Sequence, residues 1–385
     1  MRIEAKLKAM TPFLTTVLII TSLVNAESFK NDTVIIFHPV EPNQVPKVLR
    51  MISEATRCNY ECIRTWEGRE FVSANYYIHD EIRAEEIFNQ NTNDSGPKPK
   101  KITERVKETI EFSIDVEKDL IYVNRYQKEP AQYTDFETGR KLVPKGIAGR
   151  VKTILTPEFQ IDCTRHTMRD GVALSHRAVK QVRLKGSECV SNMHPVYDPK
   201  DLFGRPKCWE TIDYILNYME KQGTFDINID GYELKLEMRE IENAIEYRIQ
   251  QPLKGSPTQE KLSPEYYMLI TTVFSEQKGY NRILCEIEDG RGRKYSKEEW
   301  DYELVNGIYL PIKTAKRNFR PDTGKLSFEE VSSVQNYKIN QPIPAEVFTY
   351  KNLGLKNGDK FIDKILDKEY TYQDERLVEA QKKSK

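Results

Sequence analysis

Cys163-Thr-Arg-His166 places a thiol three residues from an imidazole, the parts of a nucleophile–base pair or of half a zinc site. On a strand, residues three apart point to opposite faces, so local sequence does not bring the two together. No second ligand pair completes a tetrahedral site, and a buried or bridged thiol is the expected role of Cys163. The adjacent acids Glu298-Glu299 and Glu329-Glu330 could serve a glycosidase only if the fold set two carboxyl groups about 5–10 Å apart. In a chain with 31% charged residues they read first as solvated surface. Asp289-Gly290-Arg291-Gly292-Arg293 has glycine spacing and two cations for an anion loop, but its simpler reading is an exposed hairpin tip. The sequence lacks G-x-S-x-G, H-E-x-x-H and G-x-x-x-x-G-K-[ST]. The five histidines, His38, His79, His166, His176 and His194, have no metal-ligand spacing. No catalytic residue, metal or cofactor is expected.

The elements that position these groups begin behind an export signal. Arg2, Lys6 and Lys8 precede an apolar run of thirteen residues, Pro12 to Val24, and Val24-Asn25-Ala26 offers a cleavage site. A helix spanning a bilayer needs about 20 residues, so residues 1–26 are expected to be a cleaved signal peptide. No transmembrane segment follows. The mature protein is expected in the periplasm or secreted. Cleavage removes three basic side chains and one acid, leaving a formal charge of −2, with no field to gather nucleic acid. All six cysteines, Cys58, Cys62, Cys163, Cys189, Cys208 and Cys285, lie in the exported part, so disulfides are expected. Cys58 and Cys62 could bridge where a helix ends or distorts.

Apolar residues at Val48, Met51, Ile52, Ala55, Tyr60 and Ile63 predict an amphipathic helix over residues 44–64. Trp209, Ile212, Ile215, Leu216 and Met219 predict a second over 208–221, after the Pro/Gly-broken stretch 198–207. Residues 89–101 read as a polar loop. The rest is strand-like. Val106, Ile110, Phe112, Ile114 and Val116 share one parity, and Asp230-Gly231 and Asn306-Gly307 are hairpin turns. Asn306-Gly307 sets Val305 opposite Ile308 and Leu304 opposite Tyr309. The fold class is mainly β (α+β), an open antiparallel half-barrel of about thirteen strands covered by a few helices. The expected division is a signal peptide at 1–26, a β domain at 27–350 and a C-terminal extension at 351–385, whose end reads as a frayed helix or disordered.

Two strands are apolar on both faces: Glu265–Ser275 and the Trp300–Ile312 hairpin. Folding alone explains such residues, since burying one is worth about 1.5–3 kcal/mol. An incompletely covered concave face would instead hold an apolar ligand, with Leu269, Phe274, Trp300, Tyr302, Leu304 and Tyr309 as its candidate contacts.

Thr65-Trp66-Glu67-Gly68, Asp115-Val116-Glu117-Lys118-Asp119, Asn340-Gln341-Pro342-Ile343-Pro344 and the Tyr302–Pro311 hairpin resemble large bacterial envelope proteins. Those lie near the exported lipoprotein carriers of the LolA/LolB type and their LppX-like relatives. The likeness covers roughly residues 44–350. It implies an open β half-barrel with a concave apolar face under helices, holding an acyl chain. This chain is about twice the length of the small carriers, and none of their ligand-contacting residues maps onto a numbered position here. The reading is a non-catalytic carrier or binding protein whose partner is an apolar ligand or lipoprotein acyl chain. The alternatives are a secreted hydrolase acting on envelope polymers through paired carboxylates, and a structural module binding an envelope protein.

Overall fold

The computed structural model describes residues 36–380 apart from 128, 144–147, 168–172, 183–207, 223–227, 230–231, 242–243, 255–266 and 321. The expected signal peptide, the 198–207 break, the Asp230-Gly231 turn and Cys189 lie outside the described residues. The chain divides into two units, Met1–His38 and Pro39–Lys385. The second is mainly β with few helices.

Three helices stand out: α1 (Val45–Glu61), α2 (Glu81–Asn91) and α3 (Cys208–Gln222). The first half of the chain supplies β1 (Thr65–His79), β2 (Ile102–Asp115), β3 (Leu120–Tyr126), β4 (Gln132–Asp135), β5 (Lys141–Leu142), β6 (Ala148–Leu155), β7 (Phe159–Thr167) and β8 (Ala173–Val182). The second half runs as a meander. It comprises β9 (Lys235–Ile241), β10 (Ala244–Lys254), β11 (Tyr267–Ser275), β12 (Asn281–Asp289), β13 (Lys294–Val305), β14 (Ile308–Phe319) and β15 (Leu326–Ile339). Three short strands follow, β16 (Lys360–Asp363), β17 (Lys368–Gln373) and β18 (Arg376–Glu379).

One pairing decides the architecture. β15 runs antiparallel to β1, with Glu329 opposite Tyr76 and Ile339 opposite Trp66, so both halves belong to one sheet. That sheet holds nineteen strands among the described residues, against the thirteen expected. The extra ones are mostly short, such as β4, β5 and β16–β18, and carry too few residues for a period to show. The sheet stays an open half-barrel. It is mixed rather than wholly antiparallel, because β16 pairs in parallel with β8.

That parallel pair comes from the C-terminal tail, where the expectation of a frayed helix or disorder is overturned. Phe361 is 3% exposed and packs edge-on against Tyr350 and Tyr370. The buried carboxylate of Asp363 accepts from the main-chain N–H groups of Ile365 and Leu366 and from Lys180 on β8. The lysine count concealed a period-two pattern.

The Asn306-Gly307 turn forms as expected. Both residues have positive φ, 52° and 81°, and Val305 and Leu304 stand opposite Ile308 and Tyr309. Of the second hairpin, the described pairs are Asn228 with Glu233 and Ile229 with Tyr232, and Leu236 pairs with Ile249 on β10; Phe225 and Ile227 lie outside the described residues. Helix α2 replaces the start of the expected 89–101 loop. Asp80 caps it by accepting from the Arg83 N–H, and Ala84, Ile87 and Phe88 form its buried stripe.

The motifs that carry the resemblance meet in space. Thr65 stands opposite Asp115, and the Thr65 hydroxyl donates to the Gln341 carbonyl at 2.6 Å. Asn340 Oδ1 accepts from the Arg64 N–H at 2.7 Å while its Nδ2 donates to the Cys62 carbonyl at 3.0 Å. These contacts tie off the C-terminal end of α1.

Candidate functional site

Helices α1 and α3 cover one face of the sheet at the β9–β11 end. Leu49 and Ile52 of α1 join Ile212, Ile215, Leu216 and Met219 of α3 above Leu236, Tyr247, Ile249 and Phe274 of the strands. Spacing explains α3: positions 212, 215, 216 and 219 make one helical stripe. In α1 the buried stripe is Leu49, Ile52, Ser53 and Thr56. It differs from the apolar one read in the sequence, because two of its members are polar.

Those two polar residues are satisfied in different ways. Ser53 Oγ donates to Asp213 of α3 at 2.6 Å, and Arg57 pairs with the same carboxylate at 2.5 Å. Arg50–Glu220 adds an exposed ion pair at 2.9 Å. Thr56 Oγ1 donates to the Ile52 carbonyl and to the Tyr280 carbonyl after β11. One turn on, Asn59 holds the main chain of Tyr309. The two helices are thus linked to each other by polar contacts, and the described contacts between their middles and the sheet are apolar. The polar anchorage of α1 to the sheet is at its C-terminal end.

Three of the six expected contact residues gather around Arg282 on β12. Phe274 is its register partner, its guanidinium lies 4.1 Å from the Trp300 ring centroid, and its carbonyl accepts from the Tyr302 hydroxyl at 2.9 Å. All three aromatics are buried. Tyr309 is half-buried, with its ring against Gly279, where an added Cβ would lie 2.5 Å from Cδ2. Leu304 is 55% exposed at the hairpin tip. Leu269 does not join them. It differs in parity from Phe274 on β11, and unbroken pairing with β10 puts it on the opposite face.

The hairpin is covered on both faces. Ile308 and Leu310 pack with Trp66, Ile110, Phe112, Val334 and Ile339, and Trp300 and Tyr302 pack against Arg282. Away from the helices the sheet turns polar on both sides. Glu298 pairs with Lys316, while Glu299 and Glu329 share Arg317. These acids are engaged by cations, and they supply no free carboxylate pair. At Asp289-Gly290-Arg291-Gly292-Arg293, Asp289 accepts from the N–H groups of Arg291 and Arg293 and from the Arg293 guanidinium. The loop's own carboxylate fills the place an anion would take.

No family model matches the chain. No curated protein matches it either. Solved structures similar to it include the following two. One is a DUF1329 family protein from Desulfovibrio piger, with TM-score 0.33 and 11% identity over 82% of this chain and 100% of that one. The other is a putative outer membrane lipoprotein-sorting protein domain from Vibrio parahaemolyticus, with TM-score 0.31 and 9% identity over 79% of this chain and 97% of that one.

No disulfide joins Cys58, Cys62, Cys163 and Cys285 to one another. Cys62 lies at the C-cap of α1, and its thiol donates to the Asn59 carbonyl at 3.2 Å. Cys163 is buried, and burial pushes the Cys285 thiol up. No helix among the described residues is long and apolar enough to cross a membrane.

Proposed function

We propose that the chain is an exported, non-catalytic carrier or binding protein, and that its ligand is apolar, an acyl chain being the natural case. The observation that supports this is the layer between the helix pair and the open sheet. Leu49, Ile52, Ile212, Ile215, Phe274 and Ile249 meet there through apolar contacts. Such contacts are non-directional, so a ligand chain replaces side-chain packing without breaking hydrogen bonds. Asp213, held by Ser53 and Arg57, keeps α1 and α3 together as a lid. Thr56, Asn59 and Asn340 at the far end of α1 act as its hinge. Phe274 belongs to the inner wall, with Trp300, Tyr302 and Tyr309 behind it and Leu304 at the exposed rim.

The chain's own side chains fill this layer, so the unliganded protein is the closed state and loading lifts the helices. Residues 1–26 are removed on export, which places the protein in the periplasm or outside the cell. Native mass spectrometry of gently purified protein, with titration by a fluorescent fatty acid, tests the reading. Co-purifying lipid and saturable binding are expected. A protein that carries no lipid and binds no probe overturns it.

A further inference from the structure

The face turned away from the lid carries a groove of about 310 Å³. Strand register builds it. One cross-strand row runs Arg317, Glu329, Tyr76, Arg105, Gln132. The next row on the same face runs Ala315, Val331, Ala74, Lys107. Ala74 is the short member among long neighbours, and the hollow opens above it. Ile249 belongs to a different row, through Thr272, Cys285, Glu298, Lys316, Glu330 and Asn75. Each member of that row is one residue away from the groove's side, so the groove and the lid lie on opposite faces.

A notch in the pairing of β2 gives the groove its wall. β4 covers residues 102–105 of β2 and β3 covers 109–115, leaving 106–108 between them. The connection from Tyr126 to Gln132 passes this gap and brings Glu129 and Pro130 to the lining.

The charges here are arranged unlike those elsewhere on the sheet. Arg125, Arg239, Arg248 and Arg317 each face a carboxylate. Glu329, the acid within the groove, is taken by Arg317 at 2.8 Å. Arg105 and Lys107 form no ion pair among the described residues, and both are exposed. The Arg105 guanidinium lies 5.5 Å from the centroid of the Tyr76 ring. Stacking keeps its edge free to donate, since a cation over an aromatic face spends no hydrogen bonds. Glu129 is the opposing charge at the rim.

We propose that this groove binds an organic oxyanion, a phosphate monoester or carboxylate carried on an aromatic or apolar body. The anion lies between Arg105 and Lys107, and the body lies over Ala74, Val331 and the Tyr76 ring. An arginine and a lysine side by side give charge-assisted hydrogen bonds to such a group. A bare inorganic anion would leave the apolar floor unused. This site is independent of the lid.

Titration of the full chain with phenyl phosphate, followed by amide NMR, tests it, with inorganic phosphate and phosphatidylglycerol vesicles as parallel arms. Saturable binding of phenyl phosphate is expected, with shifts confined to residues near 74–76, 105–107 and 329–331. Arg105→Gln and Lys107→Gln should each weaken it about ten-fold without changing the melting temperature or fatty-acid binding. Vesicle binding that falls in step in both variants would identify the source as a lipid headgroup. Vesicle binding unchanged by them leaves a soluble ligand. The proposal is overturned if phenyl phosphate does not saturate, if it binds no more tightly than inorganic phosphate, or if both variants bind as the wild type does.

Discussion

Asn59 grips the main chain of Tyr309 at both polar groups. Its Nδ2 donates to the Tyr309 carbonyl at 2.7 Å and its Oδ1 accepts from the Tyr309 N–H at 2.9 Å. The two residues are 250 positions apart, and Tyr309 has just left the Asn306-Gly307 turn, where strand β14 no longer has β15 beside it. A helix side chain therefore replaces a missing strand. Each such bond contributes about 0.5–1.5 kcal/mol net. Asn59→Ala should cost about 1–3 kcal/mol in urea unfolding, with the slope unchanged. A variant as stable as the wild type would show that Asn59 does not anchor α1 to β14.

Gly68 is required by Phe112. The two are register partners on β1 and β2, and a Cβ on residue 68 would lie 2.4 Å from the Phe112 ring. Gly68→Ala should destabilise by about 1–3 kcal/mol, as overpacking does. Phe112→Leu in the same chain should recover part of that loss. Additive losses in the double variant would refute the clash.

Phe274 and Leu304 were expected to share one role, yet the structure separates them. Phe274 is 2% exposed beneath helices α1 and α3, and Leu304 is 55% exposed. Phe274→Ala should cost about 3–5 kcal/mol and Leu304→Ala less than about 0.5 kcal/mol. Denaturant midpoints for the two variants measure this difference, and similar values would contradict it.

The tail responds to acid through Asp363. Burial raises its carboxyl, but the N–H groups of Leu366 and Ile365 and the Lys180 ammonium outweigh this and hold it below the usual range. A depressed carboxyl stabilises the fold fully above its unfolded value of about 3.9. The contribution is lost as pH falls through the folded value. Asp363→Asn should thus reduce stability at pH 7 and flatten its decline below about pH 4. Hydrogen exchange at residues 360–379 should report the same change. Identical acid profiles for the two proteins would show that Asp363 is not the anchor.

Exposed and buried thiols should label differently. Cys58 on the last turn of α1 and Cys62 at its C-cap are exposed, while Cys163 is 3% exposed. In reduced native protein a maleimide should modify Cys58 and Cys62 within minutes and reach Cys163 only after unfolding, as read by peptide mass spectrometry. Labelling of Cys163 at the same rate would contradict its burial. If oxidised protein shows Cys58 and Cys62 protected together, the end of α1 has unwound to bridge them.

Much of this fold was legible along the chain. Alternation at Ile110, Phe112 and Ile114, the Asn306-Gly307 turn with its register, and the α3 stripe at Ile212–Met219 follow from short-range geometry. Strand parity and helix period are local properties. The tail escaped because its strands are short and lysine-rich, so charge masked a two-residue alternation. Helix α2 escaped because its apolar stripe is only Ala84, Ile87 and Phe88.

The candidate sites were far less visible. Arg282 gathers Phe274, Trp300 and Tyr302 through bulges in β11–β12 and β13–β14 pairing, and a bulge changes which side chains share a face without leaving a mark in composition. The groove at Arg105 and Lys107 needs β1 and β15 to be neighbours, a pairing between residues about 250 positions apart. By itself the sequence determined the longer strands, helices α1 and α3 and the Asn306-Gly307 turn, because steric and hydrophobic periodicities act over a few residues. Which strands are neighbours, which cations stand without an acid among the described residues and which helices pack together were decided by the tertiary structure, since long-range register selects one set of contacts from many that the local pattern permits.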